Sequence, residues 1–168
     1  IRELTRRKGH VRSRTARGRK EPDPRFRDYL DHEEPVRRIP SHRILAILRG
    51  EREGSLSVRI APDADEARRR LRDAVLGGRR SIWHGQLRLA ADDAYDRLLR
   101  GQIETEIRGE LKERADRDAI EVFASNLRSL LTQPPLEEHT VMGIDPGFRT
   151  GCKVAVVDTT GKVLDTAT

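Results

Sequence analysis

One stretch, "MGIDPGF", sets a single carboxylate, Asp145, between an apolar run and a Pro-Gly turn. A carboxylate on a strand just before such a turn is held rigidly and points to one face. In two-metal nucleases an aspartate so placed bridges Mg²⁺ ions that activate water and stabilise the leaving oxygen. Hard, oxygen-ligated Mg²⁺ needs more than one carboxylate. Asp158 and Asp165 fall at expected turns or strand ends, where exposure to solvent accounts for them. The same Asp-x-Gly between two strands suits a loop whose amides approach nucleotide phosphates, although Phe148 and Arg149 follow where such loops carry small polar residues. A third reading makes Asp145 structural, accepting hydrogen bonds from the turn amides. Among the histidines, His42 beside Ser41 reads as a buried or capping side chain and His84 beside Trp83 as part of a packed aromatic corner. His10, His32 and His139 lie in polar stretches. No Walker loop, zinc spacing or dinucleotide fingerprint occurs, and no cofactor is expected.

The second constellation is cationic. "RRKGHVRSRTARGRK" brings together Arg6, Arg7, Lys8, Arg12, Arg14, Arg17, Arg19 and Lys20, with Val11 the only large aliphatic between Leu4 and Phe26. So polar a run predicts a loop or mobile arm over residues 1–24. Each Lys or Arg that pairs with a phosphate releases counterions, so these eight residues are the candidate nucleic-acid contacts. The alternative is a solvated, flexible end. The chain as a whole has a net charge of +6 and a pI near 10.1, a balance that suits a polyanionic partner.

The elements that must position these residues change character along the chain. Aromatic residues make up only 4% of the 168, so the core rests on Leu, Ile, Val and Ala, which favours packed helices. A helical body is predicted over 25–133. Ser41 is the expected N-cap of "HRILAILRG" and Gly50 its end. Leu56, Val58 and Ile60 alternate as a short strand. "DADEARRRLRDAVLGG" reads as a helix with an acidic first turn and a Gly-Gly end. "LAADDAYDRLLRG" is a helix broken at Gly101. From Ile103 to Leu131 apolar residues recur at steps of three and four, predicting one long amphipathic helix. Residues 134–140, "PPLEEHT", form a linker. Beyond it, in 141–168, the period falls to two: Val154 and Val156 mark a strand buried on both faces and "DTTGK" a hairpin turn. The chain begins at Ile1 and stops inside a strand run, so it is read as a piece of something longer. A lone cysteine, Cys152, excludes an internal disulfide and points to the cytoplasm. No apolar run approaches the roughly 20 residues of a membrane helix, so no membrane partner is expected.

Taken together, three stretches resemble one family. "VMGIDPGFRTGCKVAVVDTTGKVLDTAT" closely resembles the opening of the YqgF (RNase H-like) domain of the Tex family of bacterial transcription accessory proteins. "FRDYLDHEEPVRRIPSHRILAILRGEREGSL" is similar to the helical core of that family, and "DAYDRLLRGQIETEIRGELKERADRDAIEVFASNLRSLL" to its long helix. One departure is visible: Gly101-Gln102 stands where the family usually has Pro-Ser. The resemblance implies a mostly α-helical body followed by the first strands of a truncated RNase H-like α/β domain. It implies sequence-independent binding of RNA, DNA or both, alongside the transcription machinery. It also implies helix-hairpin-helix elements and an OB-fold in the whole protein. The YqgF domain is similar to Holliday-junction resolvases, in which the aspartate matching Asp145 is catalytic. Tex-like proteins generally do not keep the other carboxylates of that site, which implies a scaffold rather than a catalyst. A metal-dependent nuclease using Asp145 and a protein-interaction scaffold stand as the alternatives.

Overall fold

A computed structural model describes residues 1–18, 23–77, 82–134, 136, 138–149 and 151–168. The chain divides into two compact units, Ile1–Val122 and Phe123–Thr168. In order, the first holds α1 (Arg2–Lys8), β1 (His10–Thr15), a 3-10 turn (Pro24–Tyr29), β2 (Asp31–Pro35), α2 (Ser41–Arg52), β3 (Leu56–Ala61), α3 (Ala64–Leu76) and α4 (His84–Ala94). A π-helical turn (Tyr95–Leu99) then leads into α5 (Arg100–Leu131), and the division between the compact units falls inside that helix.

The mobile arm expected over residues 1–24 is, for residues 2–15, a helix followed by the central strand of an antiparallel sheet ordered β2-β1-β3. Alternation explains why so basic a stretch forms a strand. Val11 and Ser13 are fully buried while Arg12 and Arg14 face solvent. Ser13 serves as a core residue because its hydroxyl donates to the Tyr29 carbonyl at 2.7 Å, which removes the penalty of burying it unpaired. Val11 meets Val58 and Ile60 of β3 in one core with Ile44 and Ile47 of α2, and with Ile103 and Ile107 of α5.

Several local expectations hold. β3 buries Leu56, Val58 and Ile60. α3 carries its acidic first turn in Asp65 and Glu66 and ends at Gly77 with φ +55°, a left-handed conformation that glycine adopts without steric cost; in addition, the Asp63 carboxylate accepts from the Glu66 amide at 2.8 Å as an N-cap. Others are corrected. Pro40, not Ser41, occupies the N-cap position of α2, and the Ser41 hydroxyl donates to Asp118 on α5 instead. Gly50 does not end α2. The helix passes through it, and a Cβ there would lie 2.6 Å from Leu56 Cδ1, so this glycine is set by close packing. Nor does Gly101 break a helix: the π-helical turn joins α4 to α5 without interruption.

The free edge of β3 is closed by side chains. The Glu104 carboxylate accepts from the Ile60 amide at 3.1 Å, and Arg108 donates to the Val58 carbonyl at 3.2 Å. Glu104 and Arg108 are i,i+4 neighbours on α5 and share an ion pair at 3.5 Å. They satisfy an edge amide and carbonyl as a fourth strand would.

The second unit holds β4 (Val141–Gly147), β5 (Gly151–Val157) and β6 (Val163–Ala167) in an antiparallel meander. The hairpin turn stands where "DTTGK" predicts it: the Asp158 carboxylate accepts from the Thr160 amide at 2.8 Å and the Lys162 amide at 3.0 Å. Val154 and Val156 are half-buried rather than buried on both faces, as in a single layer of three short strands. A mostly helical body followed by strands is therefore the right class, with one addition: the body has a sheet of its own.

Candidate nucleic-acid interface

Structure sorts the basic run into cations used internally and cations turned outward. Arg6 lies on α1 against α5, 2.6 Å from Glu110 and 3.4 Å from Glu106. Its hydrogen bond, more than its charge, holds the Glu110 carboxyl below the usual glutamate range. Lys8 reaches Glu66 of α3 at 2.9 Å. These two residues fasten α1 to its neighbours. Arg7 and Arg17 make no ion pair among the described residues, and Arg7 lines a groove with Arg37 and Arg70. Arg12 and Arg14 project from the solvent face of β1, beside Glu33 at 2.9 Å and Asp31 at 3.9 Å of β2. Arg19 and Lys20 lie outside the described residues.

Two further arginines join Arg12 and Arg14 that the linear run does not contain. Arg59 of β3 stands opposite Arg12 in the strand register, and Arg100 opens α5 beside them. Arg59 is legible as an outward position in the alternation of "LSVRIA". No pattern in the sequence marks Arg100, which the path of α5 brings to the sheet.

Asp145 stands on β4 directly across from Lys153 of β5. It shares a shallow hollow with Gly143, Ala155 and Thr166. Among the described residues no amide donates to its carboxylate in the way the structural reading of it expects. Asp158 has that role in its own turn. Among the described residues no group of three or more His, Cys, Asp or Glu side chains is placed to hold a metal ion. A site for Mg²⁺ asks for several oxygen ligands, and Asp145 with a lysine opposite does not fit that requirement. His42 and His84 are exposed rather than buried, and Trp83 is 62% exposed. Among the described residues no helix is long and apolar enough to cross a membrane.

Residues 1–123 match the family described as Tex central region-like, and residues 139–168 match the Tex protein YqgF-like domain. The chain belongs to the Tex family. It is 40% identical over 161 residues to the transcriptional accessory protein Tex of Neisseria gonorrhoeae, covering 93% of this chain and 21% of that protein. It is 39% identical over 173 residues to Protein tex of Bordetella pertussis, covering 95% and 22%. The human S1 RNA-binding domain-containing protein 1 is 33% identical over 141 residues, covering 78% of this chain and 14% of that protein. The chain thus spans about a fifth of the length of its bacterial Tex relatives. The arginines of β1 and β3 and the clamp of α1 on α5 all fall in the Tex central region. Asp145 falls in the YqgF-like domain.

Proposed function

We propose that this chain acts as a non-catalytic scaffold that binds RNA, DNA or both without sequence preference, within a Tex-family transcription accessory protein of the cytoplasm. The observation that carries this reading is the outward face of β1: Arg12 and Arg14 are fixed on a rigid sheet instead of trailing in an arm. A backbone already ordered in a strand leaves less entropy to lose when its arginines meet phosphates than a mobile arm does. The names of the relatives, a transcriptional accessory protein and an S1 RNA-binding domain-containing protein, support the same reading. In this reading β4 to β6 open an RNase H-like sheet, and Asp145 is a remnant of its site. Fluorescence anisotropy with labelled mixed-sequence RNA and DNA tests it. The expected result is binding that weakens linearly with salt on a log-log plot; binding indifferent to salt would remove its electrostatic basis. Cleavage of a four-way junction by the full-length parent with Mg²⁺, lost in Asp145→Asn, would replace the scaffold with a nuclease.

A second reading, a protein-interaction scaffold, is favoured by the later part of α5, where Ile120, Phe123 and Leu130 are about two-thirds exposed. A pull-down with transcription proteins that survives nuclease and high salt would support it over the first.

A further inference from the structure

The solvent face of the first sheet carries a cleft lined by Arg12 and Arg14 of β1, Ser57, Arg59 and Ala61 of β3, and Arg100 of α5. Among the described residues no carboxylate lines it. Arg12 and Arg59 are direct cross-strand partners, and like charges so placed destabilise a sheet. The counter-charges come from outside the cleft. Glu33 lies 2.9 Å from Arg12, Asp31 3.9 Å from Arg14 and Glu104 3.5 Å from Arg59. Glu104 is shared, since it also accepts from the Ile60 amide and from Arg108. Arg100 makes no ion pair among the described residues. By contrast, Arg72 meets Asp92 in a two-pronged pair with both contacts at 2.6 Å. Among the described residues, then, the cleft gathers four guanidiniums, only one of them with a close partner, around a repulsive pair. A local conflict of this kind in an otherwise consistent fold marks a functional surface.

We propose that this cleft grips the phosphate backbone of a nucleic-acid strand, Arg12 and Arg59 closing on one phosphate and Arg14 and Ser57 on the next. The inference deepens the nucleic-acid reading above and rests on it, while adding Ser57, Arg59 and Arg100, which lie outside the basic run. The two rows are two residues apart on one face, about 6.8 Å along the strand, a spacing that suits consecutive phosphates of an extended strand. Guanidinium forks match phosphate oxygens in two-pronged pairs. The Ser57 hydroxyl donates a further hydrogen bond, and the small Ala61 leaves the floor open. Among the described residues no aromatic ring lines the cleft, so bases are not stacked there and the contact is blind to sequence.

The test uses the purified chain and fluorescein-labelled single-stranded RNA of mixed sequence, titrated at several salt concentrations. The double variant Arg59→Ser/Arg100→Ser is compared with Arg69→Ser/Arg117→Ser, an equal charge change at exposed positions away from the cleft. Circular dichroism checks that both are folded. The cleft variant is expected to bind at least about tenfold more weakly, with a salt slope shallower by about 1. The control is expected to change little. Equal losses in the two variants would overturn the cleft while leaving the nucleic-acid reading intact. If the unaltered chain fails to bind RNA even at low salt, that reading falls and the cleft with it. Inorganic phosphate displacing the RNA at equal molar concentration would overturn the strand assignment in favour of a free-anion site.

Discussion

The two halves of α5 carry the same apolar rhythm and meet opposite fates. Ile103, Ile107, Leu111 and Ala115 recur every four residues and are at most 5% exposed. Ile120, Phe123, Leu127, Leu130 and Leu131 continue the rhythm and are 40% to 76% exposed. Periodicity thus reports that a helix has an apolar side, and says nothing about whether anything covers it. What separates the halves is tertiary supply. The first meets α2 and a sheet in one core, and is strapped by Arg2 and Arg6 to Glu106 and Glu110. Among the described residues the second has the stripe without the neighbours.

The comparison can be broken most directly at Ile107. Ile107→Ala removes a side chain that is 1% exposed and is expected to cost about 2–5 kcal/mol in urea unfolding. Phe123→Ala in the exposed half is expected to stay within about 0.5 kcal/mol. Equal losses would show that the later stripe is covered in solution.

Glu104→Ala comes next. It strips the Ile60 amide of its acceptor and leaves Arg108 with one carboxylate fewer, an expected loss of about 1–3 kcal/mol by the same measurement. Gly109→Ala runs the other way. A Cβ there meets nothing within 4 Å, so the helix should gain up to about 1 kcal/mol from propensity alone. A loss would mean that the outer face of α5 is crowded.

The smallest effect concerns pH. Because Arg6 lowers the folded-state Glu110 value, the contribution of that pair is complete above the ordinary glutamate value, about 4.3, and is lost as pH falls below it. Glu110→Gln should lower the neutral plateau slightly and meet the curve of the unaltered chain at acid pH, which flattens the acid limb of stability against pH.

The acidic first turn of α3 and its stop at Gly77, the alternation of β3 and the Asp158 turn are all legible in the amino-acid sequence, because each depends on chemistry between near neighbours in the chain. β1 is not. Its inward residues are Val11 and Ser13, only one of them apolar, between arginines that imitate a disordered tail. Ser13 is buried thanks to a carbonyl sixteen residues away, a partner no window around it contains. The candidate site is half legible for the same reason. Arg12 and Arg14 stand out as part of a run, whereas Arg59 and Arg100 join them only once β3 pairs with β1 and α5 arrives alongside. Ser41 and Gly50 have the residue types of helix boundaries, but one hydrogen-bonds α5 and the other makes room for Leu56.

The grip of Glu104 and Arg108 on β3 has a consequence for how copies of this protein meet one another. A sheet with a bare edge invites a strand from a neighbour, which is how fibres and swapped dimers begin. Here two residues one helical turn apart occupy a donor and an acceptor that an incoming strand would need. The remaining flank of that sheet belongs to β2, whose sequence, Asp31-His32-Glu33-Glu34-Pro35, carries three acids and ends in proline. One edge is shut by imitation and the other by charge, so the sheet is self-limiting and its growth stops at three strands.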